Sequence, residues 1–188
     1  MPIMATDPWL IGSCYWRSWW LERPPTPAEI DLVREARFLY VTHSHPDHLH
    51  FPSIRHLGTA KTFLSPNFPG YPVPDYLEGE GHSAITLRPF RWYRLSVGVR
   101  VAFAQVPIDD SILVIDTPSA VIVNLNDSYP RRRLLAAIGR RLVAPGKMVV
   151  VLKSHSPGPP LGQPVQGDLR GQRGTLDIAD GGLFQAVR

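Results

Sequence analysis

The sequence predicts an α/β protein built as a layered sandwich. Three observations carry that expectation. The first third alternates short helical segments with short buried strands. The middle is a run of closely spaced strand candidates, and an amphipathic helix followed by an apolar strand closes the regular part of the chain.

The elements follow in order. Thr26-Pro27-Ala28-Glu29 offers an N-cap hydroxyl, a proline at the first helical position and a glutamate that reaches back to the cap, so a helix is predicted to start there. Ile30, Leu32, Val33 and Ala36 give it an apolar stripe. Phe38-Leu39-Tyr40-Val41 is too short an apolar run for a helix and reads as a buried strand that ends at a histidine cluster. A short helix is expected over residues 53–57, stopped by Gly58, and Thr62-Phe63-Leu64 is the next strand. Residues 65–81 read as a long loop rich in proline and glycine. Strands are expected over residues 84–88, 92–95, 99–106, 112–116 and 120–124. A helix over 131–142 with Leu134, Leu135 and Ile138 inward comes next, and a strand over 148–152 last. From residue 154 onward, Pro157-Gly158-Pro159-Pro160 leads into a segment without apolar periodicity. The expected organisation is one domain over residues 1–153 and a weakly ordered tail over 154–188.

Composition narrows the function. Of the 188 residues, 44% are hydrophobic and 19% charged, a globular balance, so the 20 prolines and 15 glycines belong mainly in loops. Cys14 is the single cysteine, which excludes an intramolecular disulfide framework and clusters held by several thiolates; any metal must rest on histidine and carboxylate. Neither a basic leader with an apolar core nor a run approaching roughly 18 apolar residues is present, so a soluble, cytoplasmic protein is expected. The net charge of +4 suits a small anionic substrate. Arg131-Arg132-Arg133 with Arg140-Arg141 is the densest basic cluster, and it reads as a solvated helix face in preference to a nucleic-acid surface. Membrane partners are not expected, and the sequence leaves homo-oligomerisation open.

The chemistry concentrates in His43-Ser44-His45-Pro46-Asp47-His48. If the strand stays extended, His43, His45 and Asp47 alternate to one side and converge on a metal; if the backbone turns, Asp47 and His48 can serve a second ion. Neutral imidazoles and carboxylates suit zinc, iron and manganese, and an open coordination position supplies a metal-bound hydroxide as nucleophile. The competing reading is a hydrogen-bonded turn at a strand end. Among the other histidines, His50, His56 and His82 read as structural or solvated, and Trp16, Trp19 and Trp20 either wall a pocket or pack under an N-terminal loop.

The pattern His43-x-His45-x-Asp47-His48 after a buried strand resembles the signature of the metallo-β-lactamase superfamily. Asp7-Pro8-Trp9-Leu10, Trp19-Trp20 and Pro52-Ser53-Ile54-Arg55 extend the resemblance. They point to the branch containing the metallo-β-lactamase-like part of CMP-N-acetylneuraminate hydroxylase and, more distantly, the ascorbate-phosphate lactonases. The resemblance implies a metallo-β-lactamase-like αββα sandwich, here cut short in its second half, and a metal-bridging aspartate, for which Asp127 in Asn124-Leu125-Asn126-Asp127 matches. Read without it, Asn-Asp-Ser-Tyr-Pro is equally a turn or a helix cap. The implied ligands are His43, His45, Asp47, His48 and Asp127, with Asp47 also the catalytic carboxylate, around two zinc ions or, alternatively, iron or manganese.

Two departures accompany the likeness. Relatives carry a further histidine where this chain has Val106-Pro107-Ile108-Asp109-Asp110, leaving Asp109 or Asp110 as substitutes, and the family's last histidine has no nearer counterpart than His155. The leading expectation is a metal-dependent hydrolase of a small anionic ester, lactone or phosphorylated compound. The alternatives are an iron-dependent oxygenase-type site that takes electrons from a partner, and a non-catalytic member of the fold.

Overall fold

The computed structural model describes residues 1–58, 61–70, 72–107 and 109–153, so the expectations for residues 154–188 and for His155 lie outside the described residues. In chain order the first half contains β1 (Met4–Thr6), β2 (Ser13–Cys14), β3 (Trp19–Trp20), α1 (Pro27–Glu35), β4 (Phe38–Tyr40), α2 (Phe51–His56), β5 (Thr62–Pro66), α3 (Val73–Gly79) and β6 (Ser83–Leu87). The second half contains β7 (Tyr93–Ser96), β8 (Val99–Val106), β9 (Asp110–Asp116), β10 (Ala120–Asn124), α4 (Arg132–Leu142) and β11 (Met148–Leu152).

Besides the small antiparallel pair β2-β3, two larger sheets form, and they differ in kind. The first, ordered β1-β4-β5-β6, is wholly parallel, because α1, α2 and α3 return the chain to the same end of the sheet each time. The second, ordered β11-β10-β9-β8-β7, is antiparallel through its tight turns until α4 brings β11 back parallel to β10. The sandwich follows from alternation along the strands. In the first sheet Met4, Tyr40, Leu64 and Leu87 face Val101, Phe103, Leu113 and Ile115 of the second, forming the central layer. The alternate residues Ala5, Leu39 and Phe63 take Val33 of α1, Ile54 of α2, and Val73 and Leu77 of α3. On the far side Ala102, Ala104, Ile112, Val114, Val121 and Val123 take Ile138 and Leu142 of α4. Helix, sheet, sheet, helix is the αββα order.

Local chemistry explains the ends. Thr26 Oγ1 accepts from Glu29 N at 3.3 Å and Glu29 Oε2 accepts from Thr26 N at 2.7 Å, the reciprocal cap expected for α1. One polar link joins the two sheets through the core. Tyr40 Oη donates to Ser111 Oγ at 2.8 Å, and Ser111 Oγ donates to the Thr42 carbonyl at 2.7 Å.

Two expectations need correction. Residues 65–81 are not one long loop: β5 runs on through Pro66, and α3 follows, with Pro72 at its N-cap and Pro74 in its first turn, where a missing N–H costs nothing, and anchored by Val73 and Leu77. Leu135 faces outward at 42% exposure, since α4 turns Ile138 and Leu142 inward and leaves Leu134 only partly covered. The apolar strand β11 is an edge, with Met148, Val149 and Val151 exposed. No helix among the described residues is long and apolar enough to cross a membrane.

Candidate metal centre

The histidine motif lies where β4 ends, over the C-terminal edge of the parallel sheet. The chain does not stay extended. His48 N and Leu49 N both donate to the His45 carbonyl, at 3.0 and 2.8 Å, so the backbone makes one tight turn and His48 swings back over His43, ring centroids 4.2 Å apart. The groups that converge most closely are therefore His43, His48 and Asp127, whose donor atoms all lie within 4.8 Å of one another. Simple alternation had singled out His43, His45 and Asp47. The other two residues are adjacent: His45 Nδ1 is 2.7 Å from His43 Nε2, and Asp47 Oδ2 is 3.2 Å from His48 Nε2. Asp127 Oδ2 stands between the two halves, 3.6 Å from His48 Nε2 and 4.0 Å from His43 Nε2.

The second sheet brings its residues singly. Asp110, the first residue of β9, sits with Oδ1 3.6 Å from His43 Nδ1; of the two aspartates weighed as replacements for the missing histidine, it is the one that reaches the cluster. The turn after β10 is made by asparagines. Asn124 Oδ1 accepts from Asn126 N at 3.0 Å, and Asn126 adopts φ +56, a left-handed conformation that asparagine tolerates. The Asn126 amide then donates to Thr42 Oγ1 at 3.0 Å and Asp110 Oδ1 at 3.1 Å, which leaves the Asp127 carboxylate to face the histidines.

Three residues of the cluster carried no role in the sequence reading. Asn126 is one. Asp7, at the end of β1, places Oδ2 3.0 Å from His48 Nδ1. Tyr15 donates its hydroxyl to Asp47 Oδ1 at 2.9 Å from a stretch, Tyr15-Trp16-Arg17, in which all three residues have positive φ. Asp7 entered the sequence reading only within Asp7-Pro8-Trp9-Leu10, a segment that extends the resemblance, and it gains a place in the cluster only once β1 is known to pair with β4.

The electrostatics follow from burial and from these partners. Burial, with the charge of His48, pushes the His43 imidazole down to about 4. Burial would also lower His48, but Asp7, Asp127 and Asp47 overcome it and hold the ring protonated well above its ordinary range. Burial works against ionisation of Asp127 too, yet the His48 hydrogen bond and charge bring it down to about 2. Asp110 is pushed up to about 7, chiefly by burial, with the charges of Asp127 and Asp7 adding to it. Cys14 is buried and raised to about 11 by burial and then by the Asp47 charge, so it stays a thiol.

The donor set fits a divalent metal. His43 and His48 present Nε2 to the cluster while their Nδ1 atoms are engaged from behind, and the carboxylates of Asp47 and Asp127 face the same space. Among the described residues, the histidines outside the motif have structural settings. His50 caps α2, accepting from Ser53 N; His56 meets Arg34; and His82 lies beneath Phe63.

No family model matches the chain. Its curated relatives include the cytidine monophosphate-N-acetylneuraminic acid hydroxylase of Danio rerio, 32% identical over 136 residues, which is 66% of this chain and 22% of that protein. The Mus musculus hydroxylase is 29% identical over 136 residues, 66% of this chain and 23% of that protein. The chain thus spans less than a quarter of the length of these relatives. Among solved structures, a variant of CmlA beta-hydroxylase superposes with a TM-score of 0.60 at 19% identity, covering 79% of this chain and 31% of the other. An isothiocyanate hydrolase from Delia radicum gut bacteria gives 0.55 at 14% identity, covering 73% and 60%. Fold and motif together define a metallo-β-lactamase-fold protein with a metal site of that kind. Within that class, its sequence is similar to the cytidine monophosphate-N-acetylneuraminic acid hydroxylases.

Proposed function

We propose that the chain carries a two-metal, carboxylate-rich centre that takes part in hydroxylation of a small anionic molecule, with iron as the metal and electrons supplied by a partner. The observation that carries this reading is the donor set: the carboxylates of Asp47 and Asp127 share one cluster with His43, His45 and His48, and the further histidine that the family resemblance calls for is replaced by Asp110, which stands behind His43 at Nδ1. Oxygen donors of this kind suit iron and manganese better than a histidine-only shell does. The Danio rerio and Mus musculus relatives, both named as hydroxylases, favour the same direction. When bound, the metal supplies redox and Lewis-acid chemistry. The remaining roles belong to the chain. His43, His45 and Asp127 would hold one ion, and Asp47 and His48 with Asp127 the other. Asp47 is also the catalytic carboxylate, keeping Oδ2 toward His48 while Oδ1 holds the Tyr15 hydroxyl beside the centre. With Cys14 as the sole cysteine, no Rieske-type cluster fits within these 188 residues, hence the electron-donor partner.

A second reading, hydrolysis of an anionic ester, lactone or phosphorylated compound at zinc, is favoured by one specific observation. The Asp110 carboxyl, pushed up to about 7 next to the cluster, is matched to proton transfer near neutral pH. Elemental analysis of protein purified without added metal separates the readings. Iron, with oxygen consumption on addition of a reductant, supports the hydroxylase; about two zinc ions per chain and turnover of lactones or phosphoesters supports the hydrolase. A folded chain with no metal overturns both and leaves a non-catalytic binding protein.

A further inference from the structure

The end of the second sheet away from the metal centre carries a row of charges. Asp110 opens β9 beside the histidines and Asp116 closes it, roughly 20 Å along the strand. The register sets Arg94 of β7 opposite Arg100 of β8, and Arg100 opposite Asp116. Lys147, just before β11, joins the row by donating to Asp116 and, at 2.7 Å, to the Thr117 carbonyl. All four side chains line one cavity of about 420 Å³. Its wall is formed where the β7–β8 and β9–β10 turns meet: Gly98 has φ +77, and a Cβ there would stand 3.0 Å from Pro118 Cγ.

The charges in this cavity do not balance. Asp116 is its one carboxylate, and both oxygens are taken, one by Arg100 Nε at 2.8 Å and the other by Lys147. Burial opposes its ionisation, yet Lys147 and Arg100 hold it below the usual carboxylate range. Among the described residues Arg94 has no ion-pair partner, and Arg100 pairs through Nε alone, which leaves its two terminal nitrogens to the cavity. The Arg100 guanidinium is held 4.4 Å over the Trp92 ring, so its donors are already oriented. Like charges directly opposite on neighbouring strands destabilise a sheet, and Arg94 against Arg100 is such a pair. A negative group between them removes that cost.

We propose that this cavity is an anion site for the phosphate group of a small molecule, with Arg94 and the terminal nitrogens of Arg100 as donors and Lys147 as the third cation. Three cations against one carboxylate leave a net charge of +2, which a phosphate dianion matches. Two guanidinium groups side by side present paired N–H donors to several oxygens at once, the geometry that phosphate accepts. The site lies at the opposite end of β9 from the metal centre and does not rest on the metal reading.

The test titrates the full chain as purified with inorganic phosphate and with glycerol 3-phosphate, in a low-salt buffer free of other multivalent anions, by calorimetry and by amide NMR. Saturable binding is expected, with the Gly98 and Thr117 amides shifting. Tighter binding of glycerol 3-phosphate assigns the site to a phosphate ester, and equal binding assigns it to the free ion. Arg94→Gln is expected to weaken binding at least about 10-fold. In phosphate-free buffer its urea midpoint should be unchanged or raised, because the like-charge pair is gone. A parent that binds neither probe overturns the proposal. So does binding undiminished in Arg94→Gln, which would place the anion elsewhere, for instance at the metal centre. A lowered urea midpoint would show Arg94 to be a structural residue and overturn it as well.

Discussion

The two sheets supply the metal centre in different ways. The parallel sheet delivers a contiguous block, His43 to His48, from one loop, supported by Asp7 from the neighbouring strand end. The antiparallel sheet delivers isolated side chains, Asp110 from the start of β9 and Asn126 with Asp127 from the turn after β10. Coverage differs too: three helices seal the first sheet, whereas the second has α4 and an edge strand with Met148, Val149 and Val151 in the open. A parallel sheet collects its strand ends, and the loops that follow them, along one edge, which is where clustered ligands are easiest to build. An antiparallel sheet sends alternate strand ends in opposite directions and can contribute only at scattered points.

The comparison can be broken or sharpened, starting with the largest effect. The two sheets depend on one shared layer, so Phe103→Ala, which empties it from the second sheet, is expected to cost about 3–5 kcal/mol in denaturant unfolding. Leu135→Ala on the outer face of α4 should stay within about 0.5 kcal/mol; equal losses would contradict the layering described.

If both sheets truly furnish ligands, His48→Ala from the first and Asp127→Ala from the second should each weaken metal binding by at least about 100-fold, more than removal of a supporting residue does. Retention of metal by Asp127→Ala would reduce the site to a one-sheet affair.

Proton uptake offers a smaller, titratable effect. His48 has a raised pKa in the metal-free fold, so its ion pairs stabilise that fold fully below about 6.5 and the contribution fades as pH rises through the raised value. A metal ion needs the neutral ring. Loading at pH 7 should therefore release a proton, and apparent affinity should climb with pH by up to roughly tenfold per unit until His48 is neutral; calorimetry in buffers of different ionisation enthalpy measures the release. The smallest effect sits at the first crossover, where Thr26→Ala should cost about 1 kcal/mol by removing the α1 cap, with metal affinity unchanged.

What the sequence disclosed divides along the same line. α1 was legible because its cap is spelled in four consecutive residues, and the histidine motif because its members are adjacent. β8 to β10 were legible from β-branched runs. The cluster's geometry was not: alternation pointed to His43, His45 and Asp47, while a turn closing on the His45 carbonyl brought His48 round instead. α3 was hidden by Pro72 and Pro74, which punctuate loops and also start helices. Asp7, Asn126 and Tyr15 act through partners tens of residues away, and local pattern holds no record of such pairings.

The hydrogen-bonded relay from Tyr40 through Ser111 to the Thr42 carbonyl has a mechanical consequence. Two stacked sheets held only by apolar side chains can slide, and one residue of slip is about 3.3 Å. Every gap across the cluster, from 3.0 Å at Asn126 to 4.0 Å at Asp127, is of that size. The relay lies directly beneath the histidine loop and ties the two jaws of the sandwich together there, like the pin of a caliper. Substitutions in the central layer that leave the fold intact should therefore register first as altered spacing between the jaws, long before they register as unfolding.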